Sequence, residues 1–326
     1  MTERNEEERR PVCVIGASGF VGSHVAAALL ERGYTVHGTT RPESLPGKRA
    51  WLTERLGARA TGGARLELFG AHVRDEAALR AALAGCGGVF MCAGSERRDP
   101  STIELMVGAA RATLSAARAE GVGAAVLTSS TGSTNPPGPE PRPKREGEHV
   151  SDPMQQLAAG KYSPAAKTLM EAVALRVAEE SEGALRVAIM NPSLILGPAY
   201  QPELPASLAF LARIITGERM AEAIPPGSMS VVDARDLAAL HVAAYEDPAA
   251  SGRYFAVKRS WPWREILHTL AAVHPDYTPP DTPAPADPPA PTEFDLGRQA
   301  SLGVTLRGLE DILRGAVDEL VGRGAV

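Results

Sequence analysis

Along the first two-thirds of the chain, short, wholly apolar runs alternate with longer segments whose apolar positions recur every three to four residues. The runs near 12–16, 34–40, 65–70, 88–93, 123–129 and 185–190 read as strands, and their continuous hydrophobicity is that of strands covered on both faces. The periodic segments between them, 20–32, 75–84, 101–120 and 164–182, read as helices. This alternation predicts βαβ units in an α/β fold, a doubly wound parallel sheet. Ligands of such sheets sit beyond the carboxyl ends of the strands. Those ends carry Gly16, Arg41, Ala93-Gly-Ser95, Thr128-Ser-Ser130 and Asn191-Pro-Ser193.

Two segments break the rhythm. Residues 133–160, with Asn135-Pro-Pro-Gly-Pro and several charges, predict a long, mobile loop over the site, since structureless stretches of that length in compact domains are usually lids or binding loops. Residues 275–292 are dense in proline and are expected to run extended on the surface. The resulting division is a disordered tail over 1–10, a dinucleotide-binding (Rossmann) domain over 11–190 that includes the 133–160 lid, and a smaller substrate-binding lobe made mainly from 191–326. The lobe's last helix, near 308–323, places Leu309, Ile312, Leu313 and Val317 on one face.

Composition narrows the partners. The 326 residues, 44% hydrophobic and 22% charged, are those of a globular protein, and a net charge of −5 without a basic patch argues against nucleic acid. No apolar run is long enough to span a bilayer. The charged stretch Met1–Arg10 has no apolar core, so neither a secretory signal nor a transit peptide is expected there. Cys13, Cys86 and Cys92 lie in or beside buried strands without metal-ligand spacing, which predicts reduced thiols, a cytoplasmic setting and no metal. The expected partner is a small-molecule substrate, with the oligomeric state left open.

The chemistry starts at Val12-Cys-Val-Ile-Gly16-Ala-Ser-Gly19-Phe-Val-Gly22, where a predicted strand runs through three glycines at three-residue spacing into a helix. Gly16 allows the tight turn, Gly19 lets the backbone approach a pyrophosphate, and Gly22 lets the helix pack against the strand. The helix N-terminus, around Ser18, Phe20 and Val21, then offers free N–H groups and a positive dipole end to the anion. About twenty residues on, the second strand ends on Arg41, with Lys48 and Arg49 following. An acidic residue there would accept hydrogen bonds from an unmodified ribose, whereas a guanidinium offers donors to a 2′-phosphate. Arg41, supported by Lys48 and Ser18, therefore points to NADPH.

With these pieces in order, the chain resembles an extended, atypical short-chain dehydrogenase/reductase of the dihydroflavonol and cinnamoyl-CoA reductase group. The resemblance is carried by the glycine turn, Thr39-Thr-Arg41, Gly88-Val-Phe-Met-Cys-Ala93, Leu127-Thr-Ser-Ser130, Lys167-Thr-Leu-Met-Glu171 and Pro192-Ser-Leu-Ile-Leu-Gly-Pro198. Pro205-Ala-Ser-Leu208, Ile215-Thr-Gly217, Asp236-Leu237 and Gly252-Arg-Tyr-Phe255 continue it in the same sequential order. The resemblance implies roles. Ser130 would hydrogen-bond the substrate carbonyl, and Lys167 would hold the nicotinamide ribose and lower the pKa of a catalytic tyrosine. Ala93, Pro192, Leu194 and Ser207 would contact the cofactor, while Ser95 and Asn135 would face the substrate. Ser129 and Ser130 also read as residues that satisfy backbone groups at a strand end.

Two departures matter. The acidic residue that usually contacts adenine after the third strand is His72 here. The family's tyrosine lies four residues before the lysine, and that position is Ser163, with Tyr162 one residue too early. Pro164 disfavours helical angles at Ser163, so the helix is expected to start with Ser163 as N-cap, leaving Tyr162 outside it. The leading expectation is an NADPH-dependent ketoreductase without the usual tyrosine, acting on a bulky secondary metabolite such as an aromatic polyketide. In this it is similar to antibiotic-tailoring reductases of the simocyclinone ketoreductase kind. The rivals are a catalytically inactive NADPH-binding sensor or regulator and an NAD(P)-dependent sugar epimerase or dehydratase.

Overall fold

The computed structural model describes residues 10–95, 99–283 and 286–326. The expected tail thus lies outside the described residues except for Arg10, whose Nε donates to the Gly85 carbonyl at 3.1 Å. The first half alternates as the pattern predicts: β1 (Val12–Ile15), α1 (Phe20–Glu31), β2 (Val36–Thr40), α2 (Leu45–Trp51), β3 (Leu66–Gly70), α3 (Glu76–Leu83), β4 (Gly88–Met91), α4 (Ser101–Ala119) and β5 (Ala124–Thr128). A short helix α5 (Pro153–Ala158) precedes α6 (Tyr162–Glu180) and β6 (Arg186–Pro192). Then follow β7 (Leu194–Leu196), α7 (Ala206–Ile215), β8 (Ser228–Asp233), α8 (Ala234–Glu246), β9 (Gly252–Ala256), β10 (Ser260–Pro262), α9 (Trp263–Val273), α10 (Gly297–Ser301) and α11 (Leu309–Gly322).

The strands form a seven-stranded sheet in the order β3-β2-β1-β4-β5-β6-β9, every pair parallel. The order reverses between β1 and β4, so the carboxyl ends of these two strands open the crevice where a ligand of this architecture sits. One apolar layer, with Val25, Leu29, Phe90 and Val126, joins α1 and α8 to one face. The other, with Leu79, Met106, Leu114 and Met170, joins α3, α4 and α6 to the opposite face. The central strands β1, β4 and β5 are buried throughout, which is why they read as unbroken apolar runs.

The chain beyond residue 191 does not stay in one place. β7, β8 and β10 make a small second sheet, covered by α7, α9 and α11 around Leu208, Trp261, Ile266 and Leu313. α8 and β9, however, return to the main sheet: α8 packs against α1, and β9 pairs in parallel with β6 from Ala188↔Gly252 to Pro192↔Ala256.

Residues 133–160 carry several tethers. Lys144 forms a parallel bridge with Phe294 through Lys144 N–H to Glu293 O (2.9 Å) and Asp295 N–H to Lys144 O (2.8 Å). Glu146, buried, accepts from the Phe255 N–H at 3.3 Å. The described part of the proline-rich segment runs without helix or strand up to α10, except for that bridge. It is held by Thr282, which accepts from the Ile224 N–H at 3.1 Å and the Arg264 guanidinium at 2.5 Å.

One expectation needs correction. Helix α6 begins at Tyr162 with Lys161 as N-cap, and its first turn is closed by Ala165 N–H to Lys161 O (3.1 Å). Ser163 is therefore not the cap. Pro164 occupies the third helical position, where a backbone N–H would lack an intrahelical partner, so its missing donor costs nothing there. The unfavourable effect of Pro164 on Ser163 is offset by packing of this first turn against Gly132 beside Ser130. Tyr162 and Lys167 consequently share one helix, and a five-residue separation sets them about 140° apart around its axis, against about 40° for Ser163.

Candidate active site

The glycine turn is a cradle that side chains would fill. Gly16 takes φ +83°, and a Cβ there would stand 3.0 Å from the Ala93 backbone, so the ends of β1 and β4 touch directly. A Cβ on Gly22 would lie 2.1 Å from the Gly16 carbonyl oxygen. Gly19 caps α1 with extended backbone and no side-chain bond. The first N–H groups of α1, at Phe20, Val21 and Gly22, therefore point at the crevice in the manner that suits a pyrophosphate. This geometry fits a dinucleotide.

The edge of the crevice at β2 gathers polar groups. Ser18 Oγ lies 3.0 Å from Thr40 Oγ1, and Lys48 Nζ donates to Ser18 Oγ at 3.3 Å. Two of the sequence-derived candidates, Ser18 and Lys48, thus meet. Arg41 follows Thr40 with its side chain 65% exposed and a single long ion pair to Glu43 (3.7 Å), so its guanidinium is open to a ligand. His72 sits 3.5 Å from the same Glu43 carboxylate.

At the end of β5 lie Ser130 and Lys167. Ser130 Oγ accepts from the Gly132 N–H at 3.1 Å, capping a short turn over 131–133. The backbone-satisfying role and the catalytic one are compatible, because capping uses a lone pair and leaves the hydroxyl hydrogen to donate. Lys167 Nζ donates to the Thr128 carbonyl at 2.7 Å. Burial pushes its ammonium down to about 8, against the opposing influence of Glu171 and Cys92. The side of Gly132 is closed by Pro164: a Cβ there would lie 3.3 Å from Pro164 Cβ and 3.4 Å from Ser130 Oγ. The first turn of α6 therefore flanks Ser130, with Ser163 exposed and Tyr162 half-buried.

The remaining candidates are more dispersed. Asn135 is exposed on the loop, with its Oδ1 accepting from buried Lys144 Nζ at 2.5 Å. Ser95 Oγ lies 3.5 Å from Thr102 Oγ1. Pro192 ends β6, Leu194 starts β7, and Ser207 sits in the first turn of α7.

Sequence reasoning missed a buried polar layer beneath the site. His241 on α8 is fully buried, with Nδ1 2.8 Å from Leu237 O and Nε2 2.8 Å from Thr128 Oγ1. Nδ1 must donate to the carbonyl, so Nε2 accepts the threonine hydroxyl, and burial holds the imidazole neutral at about 4. Glu171, one helical turn after Lys167, meets Ser133 Oγ and Asn191 Nδ2 at 2.6 Å each and Arg253 at 3.7 Å. A histidine on an otherwise apolar helix face and a glutamate on a core-facing helical position were the available signals.

The match to known proteins agrees with this geometry. The chain belongs to the NAD dependent epimerase/dehydratase family, whose model matches residues 12–257. Cinnamoyl-CoA reductase 1 of Oryza sativa subsp. japonica is 35% identical over 318 residues, covering 96% of this chain and 91% of that protein. Among solved structures, vestitone reductase from alfalfa superposes with a TM-score of 0.82 at 23% identity, over 98% of this chain and all of that one. Yeast methylglyoxal/isovaleraldehyde reductase Gre2, complexed with NADPH, gives 0.81 at 19% identity over 97% of this chain. The resemblance to extended short-chain dehydrogenases/reductases with cinnamoyl-CoA-reductase-like relatives is thereby borne out at the level of the family.

Proposed function

We propose that this chain is an NADPH-dependent ketoreductase that reduces a carbonyl on a bulky secondary metabolite, an aromatic polyketide of the angucyclinone kind, without a catalytic tyrosine. The observation that carries the reading is that Ser130 follows the end of β5 and Lys167 reaches the Thr128 carbonyl there, while Ser163 holds the position four residues before the lysine. NADPH would supply the hydride when bound. The glycine turn and α1 N-terminus would hold its pyrophosphate, Lys167 its nicotinamide ribose, and Arg41, Lys48 and Ser18 its 2′-phosphate. Ser130 Oγ–H would donate to the substrate carbonyl oxygen and stabilise the negative charge that develops there. The 133–160 segment, which carries Asn135, would close over the substrate and exclude water.

The proton has a different source from the usual tyrosine. Tyr162 lies about 140° around the helix from Lys167, so the two side chains cannot address one atom. A bound water, Ser130 or a hydroxyl on the substrate beside the carbonyl takes its place. The last suits a phenolic polyketide, whose neighbouring enol can hydrogen-bond the nascent alkoxide unaided. An inactive NADPH-binding sensor would share Ser163 and would also keep Lys167 for the nicotinamide ribose, so turnover of a carbonyl substrate separates the two readings. The test is Tyr162→Phe, expected to lower kcat by less than about tenfold, against the roughly 10²–10⁴ of a lost general acid. A variant that binds both ligands normally yet loses nearly all turnover would refute the register argument.

Cofactor choice is open to a separate measurement. NADPH is expected to bind at least about tenfold more tightly than NADH, which requires only about 1.4 kcal/mol and is within one charge-assisted phosphate contact. Arg41→Ala should remove most of that preference and leave NADH affinity unchanged. Equal calorimetric affinities in the unmodified protein would contradict it.

A further inference from the structure

We propose that Glu171 is the positioning residue of this site, holding through Asn191 and Ser133 the turn that carries Ser130 from the helix face it shares with Lys167. The proposal rests on the reductase reading above and adds a residue that neither touches the substrate nor holds the cofactor. Glu171 follows Lys167 by one turn of α6, so both side chains leave the same helix face. Its carboxylate is buried and ringed by donors: the Ser133 hydroxyl at 2.6 Å, the Asn191 amide at 2.6 Å and the Arg253 guanidinium at 3.7 Å.

The same donors reach the backbone of the catalytic serine. Asn191 Nδ2 lies 3.0 Å from the Ser130 carbonyl and 3.0 Å from Ser133 Oγ, and Ser133 Oγ lies 2.8 Å from that carbonyl. Ser133 carries one hydroxyl hydrogen and Asn191 two amide hydrogens. With the hydroxyl and one amide hydrogen on the carboxylate, the second amide hydrogen is left for the Ser130 carbonyl, so Glu171 sets which donor holds the 130–133 turn. The network also reaches the loop above the site, because Arg253 Nη1 donates to the His149 carbonyl at 3.3 Å. Four elements, α6, the 130–133 turn, β6 and β9, converge on this one side chain.

Charge gives the second half of the argument. Three titratable groups face Lys167: Glu171 on α6, Cys92 after β4 and His241 on α8. Burial holds the Cys92 thiol up at about 12 and keeps His241 neutral, so neither supplies charge near neutral pH. Around Glu171 the charged groups are Lys167 and Arg253, while α5 contributes neutral Gln156, bonded to Thr168 at 3.0 Å. α4 packs on α6 through Met106, Ala109 and Ala110. Burial raises the Glu171 carboxyl while its donors and Arg253 pull it back. A charge on Glu171, one turn along the same helix face, opposes the effect of burial on Lys167, so without it the ammonium would lose its proton at lower pH.

The experiment compares Glu171→Gln, Glu171→Asp and Ser133→Ala with the unmodified protein, reading melting temperature, kcat against pH, and NADPH affinity against pH by fluorescence titration. Glu171→Gln should move the alkaline fall of both activity and NADPH affinity to lower pH by about one unit, the direction set by removing a favourable neighbour charge. Glu171→Asp, which keeps the charge, should restore the unmodified pH profile. Ser133→Ala should lower kcat by about fivefold, one hydrogen bond's worth, with the alkaline limb unmoved and KM for NADPH unchanged within twofold. A Glu171→Gln protein that melts normally and keeps the unmodified pH profile would overturn the proposal, as would a Ser133→Ala protein with unchanged kcat. If Glu171→Gln does not fold, Ser133→Ala and Glu171→Asp still decide it. Failure of the unmodified enzyme to reduce any carbonyl would instead count against the reductase reading, and the affinity titration would still report on Glu171.

Discussion

Gly22→Ala is expected to weaken NADPH binding by more than about a hundredfold and to lower the melting temperature, the damage of overpacking at a rigid contact. The added methyl would sit 2.1 Å from the Gly16 carbonyl oxygen, 2.8 Å from the Gly16 carbonyl carbon and 3.2 Å from Ala17 Cα. All three are backbone atoms of the turn, so relief requires α1 to retreat from β1 and carry its N–H groups away from the crevice. Gly19→Ala separates the two effects: its methyl would meet only the Gly16 carbonyl at 3.3 Å, so the fold should survive while a phosphate above the turn is pushed back. Gly47→Ala, with nothing within 4 Å, is the control and should leave binding unchanged. NADPH affinity of Gly22→Ala within threefold of the unmodified protein, by calorimetry, would disprove this account of the turn.

The second large effect is at Lys167. Lys167→Met should lower kcat/KM by at least about a hundredfold, the scale of losing a preorganised charged donor. Its signature is the pH dependence of stability. The ammonium titrates at about 8 in the folded protein against 10.5 for a free lysine, so between these values the unfolded chain binds more protons than the native one. Stability from this group therefore rises with pH through that window, and its cost is full below about 8. Methionine carries no charge, so relative to the unmodified protein the variant should be at its most stable near pH 7 and lose that relative advantage by pH 10. Melting curves at the two values check the sign, and a difference that grows with pH would be inconsistent with a buried ammonium.

The residues that were legible in the sequence are those whose role is set by their neighbours in the chain. The apolar runs of β1, β4 and β5 and the three glycines needed no tertiary information, because buried parallel strands and tight turns constrain composition locally. Ser18 and Lys48 followed from strand-end geometry. The start of α6 was misplaced because Pro164 is compatible with the first or the third helical position, and packing of the first turn beside Ser130 chose between them. Glu171, Asn191 and Arg253 stand in runs singled out in the sequence and His241 on an apolar helix face, but the partners that define their roles were not legible, for a different reason. A buried polar residue is defined by partners that lie far along the chain, as Thr128 and His241 do, and no local pattern reveals that pairing.

The return of β9 to the main sheet bears on how the protein is made. Until residue 256 has left the ribosome, β6 presents its unpaired edge, a row of free backbone donors and acceptors of the kind that templates aggregation. The nucleotide-binding half is therefore not a unit of biosynthesis: a fragment ending near 191 would lack both α8, which covers α1, and the strand that seals the sheet. Cofactor in the cell thus meets a crevice that matures only after about half of the 191–326 segment has emerged, and expression hosts that slow translation between 192 and 256 would prolong exposure of that edge.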